Sequence, residues 1–320
     1  MVSLSSLERQ SRLGLGSLQR NLFGRYLLPA RTGVEIARSI LARRPDAYIC
    51  SYPRSGRTWI SYCLAAYLRE YFDLRANLSL SNYTGYVPNA DDPPDSPFGI
   101  DSFLFADLLQ VPMIATSHAP YKKGRFGEEI ILVLREPHDV MVSYYFFLTT
   151  YLHRVECGFA DFLRGNTDLA AIGMPSPVYA LSRYLDSWVE PVLSGAVTVT
   201  TYEAWHASPE EELTKLLTIL RLPRRELLVA KACVLSDADH MRLSQQTEGA
   251  HFSAVDITKN QPEDLGSRNP DARFVRRASV GSWRTELTTH EATLLDEALD
   301  RQLTRRTKKM MLDVGLGYKS

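Results

Sequence analysis

The chain has 320 residues, 45% of them hydrophobic and 23% charged, with 37 basic and 37 acidic side chains and no formal net charge. That length and composition describe a globular protein with chain enough for one large α/β domain or two small ones. Neutrality gives no argument for nucleic acid or a membrane surface as partner through bulk charge, and no segment reaches the roughly 20 apolar residues that a bilayer-crossing helix needs.

Residues 1–44 carry eight arginines against Glu8 and Glu35, with leucines at near-helical spacing. This stretch reads as a basic N-terminal arm or helix, distinct from a single domain over residues 45–320. Peripheral membrane contact and organelle targeting are its alternative readings. "DAYICS" (Asp46–Ser51) is short, apolar and followed by proline, which predicts a buried strand. "SGRTWISYCLAAYLREYF" then predicts a helix over Ser55–Phe72, with Trp59, Leu64 and Leu68 facing inward. The polar Ser79–Ile100 passage is too long for an ordinary connection and is expected to be a functional lid or a disordered segment. Its Asp91, Asp92 and Asp95 are read as solvated loop charges, with attraction of a cationic acceptor as the alternative.

"VPMIATS" and "EEIILVL" predict two more strands, apolar throughout as in a sheet covered on both faces. A helix follows from Pro137, with proline in its first turn and Asp139 near its positive end. "AVTVTTY" predicts a β-branched strand, and a helix runs from Pro209. The clearest long helix of the last third is residues 288–311. Strands alternating with helices imply a central parallel sheet flanked by helices, with ligands at the strands' carboxyl ends. Cys50, Cys63, Cys157 and Cys233 lack C-x-x-C spacing and read as free thiols of a reducing compartment. No side-chain cluster has metal-ligand spacing.

Three separated stretches carry anion-binding chemistry. In "SYPRSGRTW", a strand meets a helix through Arg54, Ser55, Gly56, Arg57 and Thr58, combining backbone N–H groups, hydroxyl donors and fixed cations. Gly56 permits close approach of the backbone. The Walker lysine of nucleotide-phosphate loops is absent. In "LREPHDVMVSYY", Arg135 closes a strand and Ser143 follows eight residues later, about two helical turns on. In "RFVRRASVGSW", the paired Arg276 and Arg277 precede small residues, as suits charge-assisted recognition of a phosphate monoester.

Taken in order, Y-P-R-S-G-R-T-W at Tyr52–Trp59, R-E-P-H-D-V-M-V-S-Y-Y at Arg135–Tyr145 and R-R-A-S-V-G-S-W at Arg276–Trp283 resemble the cytosolic-type sulfotransferases, which use 3′-phosphoadenosine 5′-phosphosulfate (PAPS). The resemblance implies a P-loop-nucleotide-kinase-like fold with a PAPS-binding strand-loop-helix. It implies that Arg54, Ser55, Gly56, Arg57 and Thr58 hold the phosphosulfate and that Trp59 and Tyr202 lie near the adenine. Arg135, Ser143, Arg276 and Arg277 take the 3′-phosphate, and Ser236 and Met241 match more loosely on the nucleotide side. His118, in "IATSHAPY", resembles the family's catalytic base, and histidine's reference pKa near 6.5 suits that work. Arg54, His118 and Ser143 are thus the catalytic candidates.

Three departures stand out. Arg54 replaces the family lysine, and arginine stabilises charge without donating a proton near neutral pH. Thr116 replaces the lysine two residues before the histidine, with Arg57, Lys122 and Lys123 as candidate compensations. Ala278 and Ser282 replace the glycine and aspartate of the last motif, which leaves its backbone geometry open. The implied reaction moves a sulfuryl group from PAPS to a hydroxyl, or less readily an amine, of a small-molecule acceptor, leaving 3′,5′-ADP (PAP) and needing no metal. A cytoplasmic homodimer without nucleic-acid partner is expected. The rival readings are a catalytically altered nucleotide-binding protein and a P-loop kinase-like enzyme.

Overall fold

The computed structural model describes residues 44–93, 95–127, 129–174, 176–248 and 269–317. The basic N-terminal arm expected before Arg44 lies outside the described residues.

Four strands form one parallel sheet in the order β2-β1-β3-β4. They are β1 (Ala47–Ser51), β2 (Ile114–Ser117), β3 (Glu129–Leu134) and β4 (Thr198–Thr201). β1 sits centrally, pairing Ala47–Cys50 with Ile114–Ser117 on one side and Ala47–Ser51 with Glu129–Val133 on the other. Ile49, Cys50, Ile114, Leu132 and Val133 are completely buried, as two-sided cover requires. Helices Arg57–Tyr71 (α1) and Pro137–Phe146 (α2) follow β1 and β3. In α2, Pro137 occupies the first turn and the Glu136 side chain caps the Asp139 amide, so both ends of the predicted proline start are satisfied.

The expected long C-terminal helix is two helices, Thr289–Gln302 and Arg305–Asp313. Leu303 is buried with an extended ψ of 125°, and the Thr304 hydroxyl accepts from the Thr307 amide. An apolar contact and a new N-cap outweigh helical continuity there. Likewise α2 continues as a π-helical turn over Phe147–Tyr151.

The described residues of the Ser79–Ile100 passage form an irregular loop packed in part on the core, with Asp91 and Asp95 exposed as expected. Tyr83 and Tyr86 are 2% and 1% exposed, in the core. Asn89 forms a parallel bridge with Thr116, and the Ala90 amide donates to the Thr116 carbonyl at 2.8 Å. The passage therefore extends the β2 edge of the sheet. Asp92 is buried and accepts from Asn89 Nδ2 at 3.0 Å, so of the three aspartates it is the one that joins this packing.

Candidate active site

All four strands end at one cavity of about 610 Å³. β1 delivers the turn before α1, β2 delivers His118, β3 delivers Arg135 and β4 delivers Tyr202. This is where parallel α/β sheets place ligands, because the loops there diverge and helix N-termini converge.

The β1–α1 turn takes its shape from backbone conformation. Gly56 is left-handed (φ 97°), and a Cβ there lies 2.5 Å from Tyr202 Cδ2, so position 56 excludes any side chain. Arg54 is also left-handed (φ 69°), a conformation that costs a non-glycine residue about 1–2 kcal/mol. Arg57, Thr58 and Trp59 open α1, whose first amides lack intrahelical acceptors. Trp59 packs edge-on against Tyr202 and Trp205. Ser55 is buried, does not cap the helix, and is the one expected donor-site residue that does not line the cavity.

The Arg54 guanidinium donates to Ser143 Oγ at 3.2 Å and to the Phe274 carbonyl at 3.0 Å, between the rings of Phe147 and Phe274. Burial, with Arg135 and Arg276 nearby, lowers its pKa to about 10, so it stays cationic at neutral pH. Arg135 donates to the Arg54 and Ser279 carbonyls, lies over the Tyr202 ring, and sits 3.6 Å from the Asp139 carboxylate. Three stretches far apart in sequence thus meet through two arginines.

The C-terminal stretch is held at both ends. Asp139 accepts from the Gly281 amide at 2.6 Å and the Trp283 amide at 3.2 Å. Arg242, which no motif contains, donates to the carbonyls of Val275, Arg276 and Arg277. Ala278 adopts φ 53°, so it takes the conformation glycine favours, at alanine's higher cost. Of the paired arginines, Arg276 is committed inward: it bonds Glu286 and lies 3.3 Å from Asp271. Arg277 is half-exposed and more loosely paired. Sequence spacing gives no sign of the Glu286 contact, because Glu286 lies outside the motif. Ser236 and Met241 are buried and reach the same cavity.

His118 Nδ1 lies 2.7 Å from the Ser51 carbonyl. A carbonyl only accepts, so the proton is on Nδ1 and Nε2 is the lone-pair nitrogen of a ring that lines the cavity. Burial, followed by the Arg57 charge, holds the ring well below the usual imidazole range, against the Ser51 hydrogen bond. Asp91 accepts from the His118 amide and from Ser117 Oγ, positioning the loop. The Thr116 hydroxyl donates to the Pro88 carbonyl at 3.3 Å, so position 116 holds the loop and supplies no cation. Beyond His118 the wall is largely apolar, from Tyr144, Phe147, Leu148, Leu152, Ile172 and Met174. The aromatic residues of the Ser79–Ile100 passage do not reach it.

Comparison with known proteins places this geometry among relatives. A model of the sulfotransferase domain matches residues 44–310. The chain is 24% identical to human sulfotransferase 1E1 over 298 residues, covering 85% of this chain and 88% of that protein. It is 22% identical to cytosolic sulfotransferase 17 of Arabidopsis thaliana, covering 87% and 80% of the two chains, and 21% identical to rabbit (Oryctolagus cuniculus) amine sulfotransferase, covering 85% of each. Among solved structures, mouse sulfotransferase SULT7A1 complexed with PAP superposes with a TM-score of 0.54 at 17% identity, over 85% of this chain and 90% of that one. Retinol dehydratase in complex with androsterone and PAP gives 0.54 at 13% identity, over 86% and 83%.

Proposed function

The chain belongs to the sulfotransferase-domain family, and from that premise we propose that it transfers a sulfuryl group from PAPS to a hydroxyl of a small-molecule acceptor. The observation that carries this reading is the shared cavity: a neutral histidine with Nε2 unprotonated opens onto the same space as the β1–α1 turn and the Arg135–Ser143 pair. The residues suit the donor, because the anion end meets amides, hydroxyls and arginines while the far wall is apolar. PAPS supplies an activated sulfuryl group and a stable nucleotide leaving group.

In this reading His118 Nε2 accepts the acceptor's proton as the hydroxyl oxygen bonds to sulfur. The Ser51 carbonyl holds the ring's tautomer throughout. Arg54, linked to Ser143, neutralises charge developing on the leaving oxygen, and works by electrostatics rather than proton donation. Positioning of two reactants in line accounts for the remainder, as in phosphoryl transfer. In the same reading Arg135, Ser143 and Arg277 face the 3′-phosphate, and Arg276, paired with Glu286 at the cavity wall, supports the segment beside it. Residues 45–320 form the catalytic domain, residues 1–44 are a basic appendage, and the enzyme works in the cytoplasm.

Thermal shift with matched nucleotides tests the donor assignment: 3′,5′-ADP stabilises the protein more than 5′-ADP does, and equal stabilisation removes the 3′-phosphate role of Arg135, Ser143 and Arg277. Transfer from labelled PAPS to a panel of phenols, alcohols and amines tests the chemistry. His118→Ala abolishes transfer with nucleotide binding intact; wild-type turnover in that variant sinks the base assignment.

A further inference from the structure

Arg57 is the arginine of this site that the protein itself does not satisfy. It is 6% exposed, opens α1, and lines the cavity, yet its Nε and Nη1 are buried without a hydrogen-bond acceptor. Its neighbours are each tied to the protein: Arg54 is bonded to Ser143 and the Phe274 carbonyl, Arg276 to Glu286, and Arg135 to two carbonyls through its Nη atoms, although Arg135 Nε is also buried without an acceptor. Leaving guanidinium donors buried and unpaired costs stability, so such a group is expected to be completed by a ligand anion. The first amides of α1 point to the same end of the helix and add to the attraction.

Arg57 and His118 line the same cavity, and two further observations bear on where in it that anion sits. The charge of Arg57 acts on the His118 ring more strongly than that of Arg54 does. At position 116 there is no cation, since Thr116 is uncharged and its hydroxyl is tied to Pro88. Resting on the sulfuryl-transfer reading above, we infer that Arg57 is a catalytic residue that grips the non-bridging oxygens of the sulfuryl group, on the His118 side of the donor. During transfer the acceptor oxygen bonds to sulfur, its proton goes to His118 Nε2, and the sulfur–oxygen bond to the phosphate breaks with its electron pair left on the phosphate oxygen. Arg57 keeps hold of the sulfuryl oxygens across that movement. The product nucleotide carries no sulfuryl group, so Arg57 distinguishes PAPS from 3′,5′-ADP.

The test compares the two nucleotides on the full chain by titration calorimetry, with Arg57→Met as the neutral variant of similar reach and Arg57→Lys as the charged one. Wild-type binding of 3′,5′-ADP is measured first; its absence removes the sulfotransferase reading, and this inference with it, before any variant is made. Given that binding, Arg57→Met weakens PAPS by about tenfold or more, as loss of a charge-assisted contact implies, and leaves 3′,5′-ADP within about threefold. Turnover with 2-naphthol falls by about a hundredfold or more, the scale of losing one donor at a transition-state oxyanion. Arg57→Lys recovers part of both effects and carries the comparison if Arg57→Met fails to fold. Equal weakening of both nucleotides overturns the inference in favour of a phosphate ligand or a structural residue. Unchanged PAPS affinity with losses confined to acidic acceptors such as 4-hydroxybenzoate overturns it in favour of acceptor recognition.

Discussion

Replacing Asp139 tests whether the C-terminal stretch is held to the sheet as the geometry indicates. The carboxylate is 1% exposed, accepts from the Gly281 and Trp283 amides, and lies 3.6 Å from Arg135. In Asp139→Ala both amides lose their acceptor, at about 1–3 kcal/mol each where burial keeps water out. Removing one partner of a buried ion pair is worth about 3–5 kcal/mol by itself. These contributions overlap, because one carboxylate makes all three contacts, so a net loss of about 4 kcal/mol is expected rather than their sum. Asp139→Asn keeps one acceptor oxygen but loses the charge, and is expected to fall about midway, near 2 kcal/mol. Urea unfolding followed by tryptophan fluorescence measures the stability, and calorimetry with 3′,5′-ADP measures whether the segment still closes on the nucleotide. Affinity falls by about tenfold in the alanine variant if the segment's position is worth one such contact. A stability loss below about 1 kcal/mol in Asp139→Ala, or equal losses in the two variants, refutes this account of the clamp.

Four further outcomes follow from particular contacts. Because His118 is held well below 6.5, its lone pair is available throughout neutral pH, so kcat/KM stays level from about pH 6.5 to 8 for an acceptor that does not titrate there; a limb centred near 6.5 contradicts it. At His138, burial lowers the pKa, but hydrogen bonds and charges from Glu136 and Asp296 outweigh it and raise the group. The folded state therefore holds this proton more tightly, so the stabilisation is complete below the unfolded pKa and fades as pH rises through the folded one. The stability difference between wild type and His138→Gln, followed by urea unfolding against pH, shrinks upward through that range, and a constant difference counts against it. Ala278→Gly relieves the left-handed cost at φ 53° and gains about 0.5–1 kcal/mol in urea unfolding after glycine's own entropy cost. Gly56→Ala sets a Cβ 2.5 Å from Tyr202 Cδ2 and is expected to cost about 2 kcal/mol or more, with loss of 3′,5′-ADP binding in the same calorimetric assay.

Much of the fold was legible because three of the strands are apolar runs followed closely by proline or arginine and the fourth is β-branched, and a parallel sheet writes itself that way. That the β1–α1 turn, His118 and Arg135 share one end of the sheet followed from the expectation that ligands sit at the strands' carboxyl ends. What spacing could not express was pairing across the chain. Arg276 reads as a free phosphate ligand until Glu286 is seen beside it. Arg242 belongs to no motif and still bonds three carbonyls of the C-terminal stretch. The acidic Ser79–Ile100 passage looks solvated by composition, but its tyrosines fill the core and its backbone adds to β2. The break at Leu303 was hidden because two helices with matching apolar faces continue one periodicity, and only the Thr304 cap separates them.

The Arg54–Phe274 hydrogen bond spans 220 residues of sequence and the Arg135–Ser279 bond spans 144. Contacts of that separation form late, after the loop-closure cost has been met. During synthesis the β1–α1 turn therefore leaves the ribosome long before the stretch that completes its surroundings. Arg54 has neither its carbonyl acceptor nor its second aromatic face until Phe274 arrives. On the proposed function, nucleotide capture is consequently a property of the nearly finished chain, and the donor is expected to stabilise selectively the molecules that have completed folding.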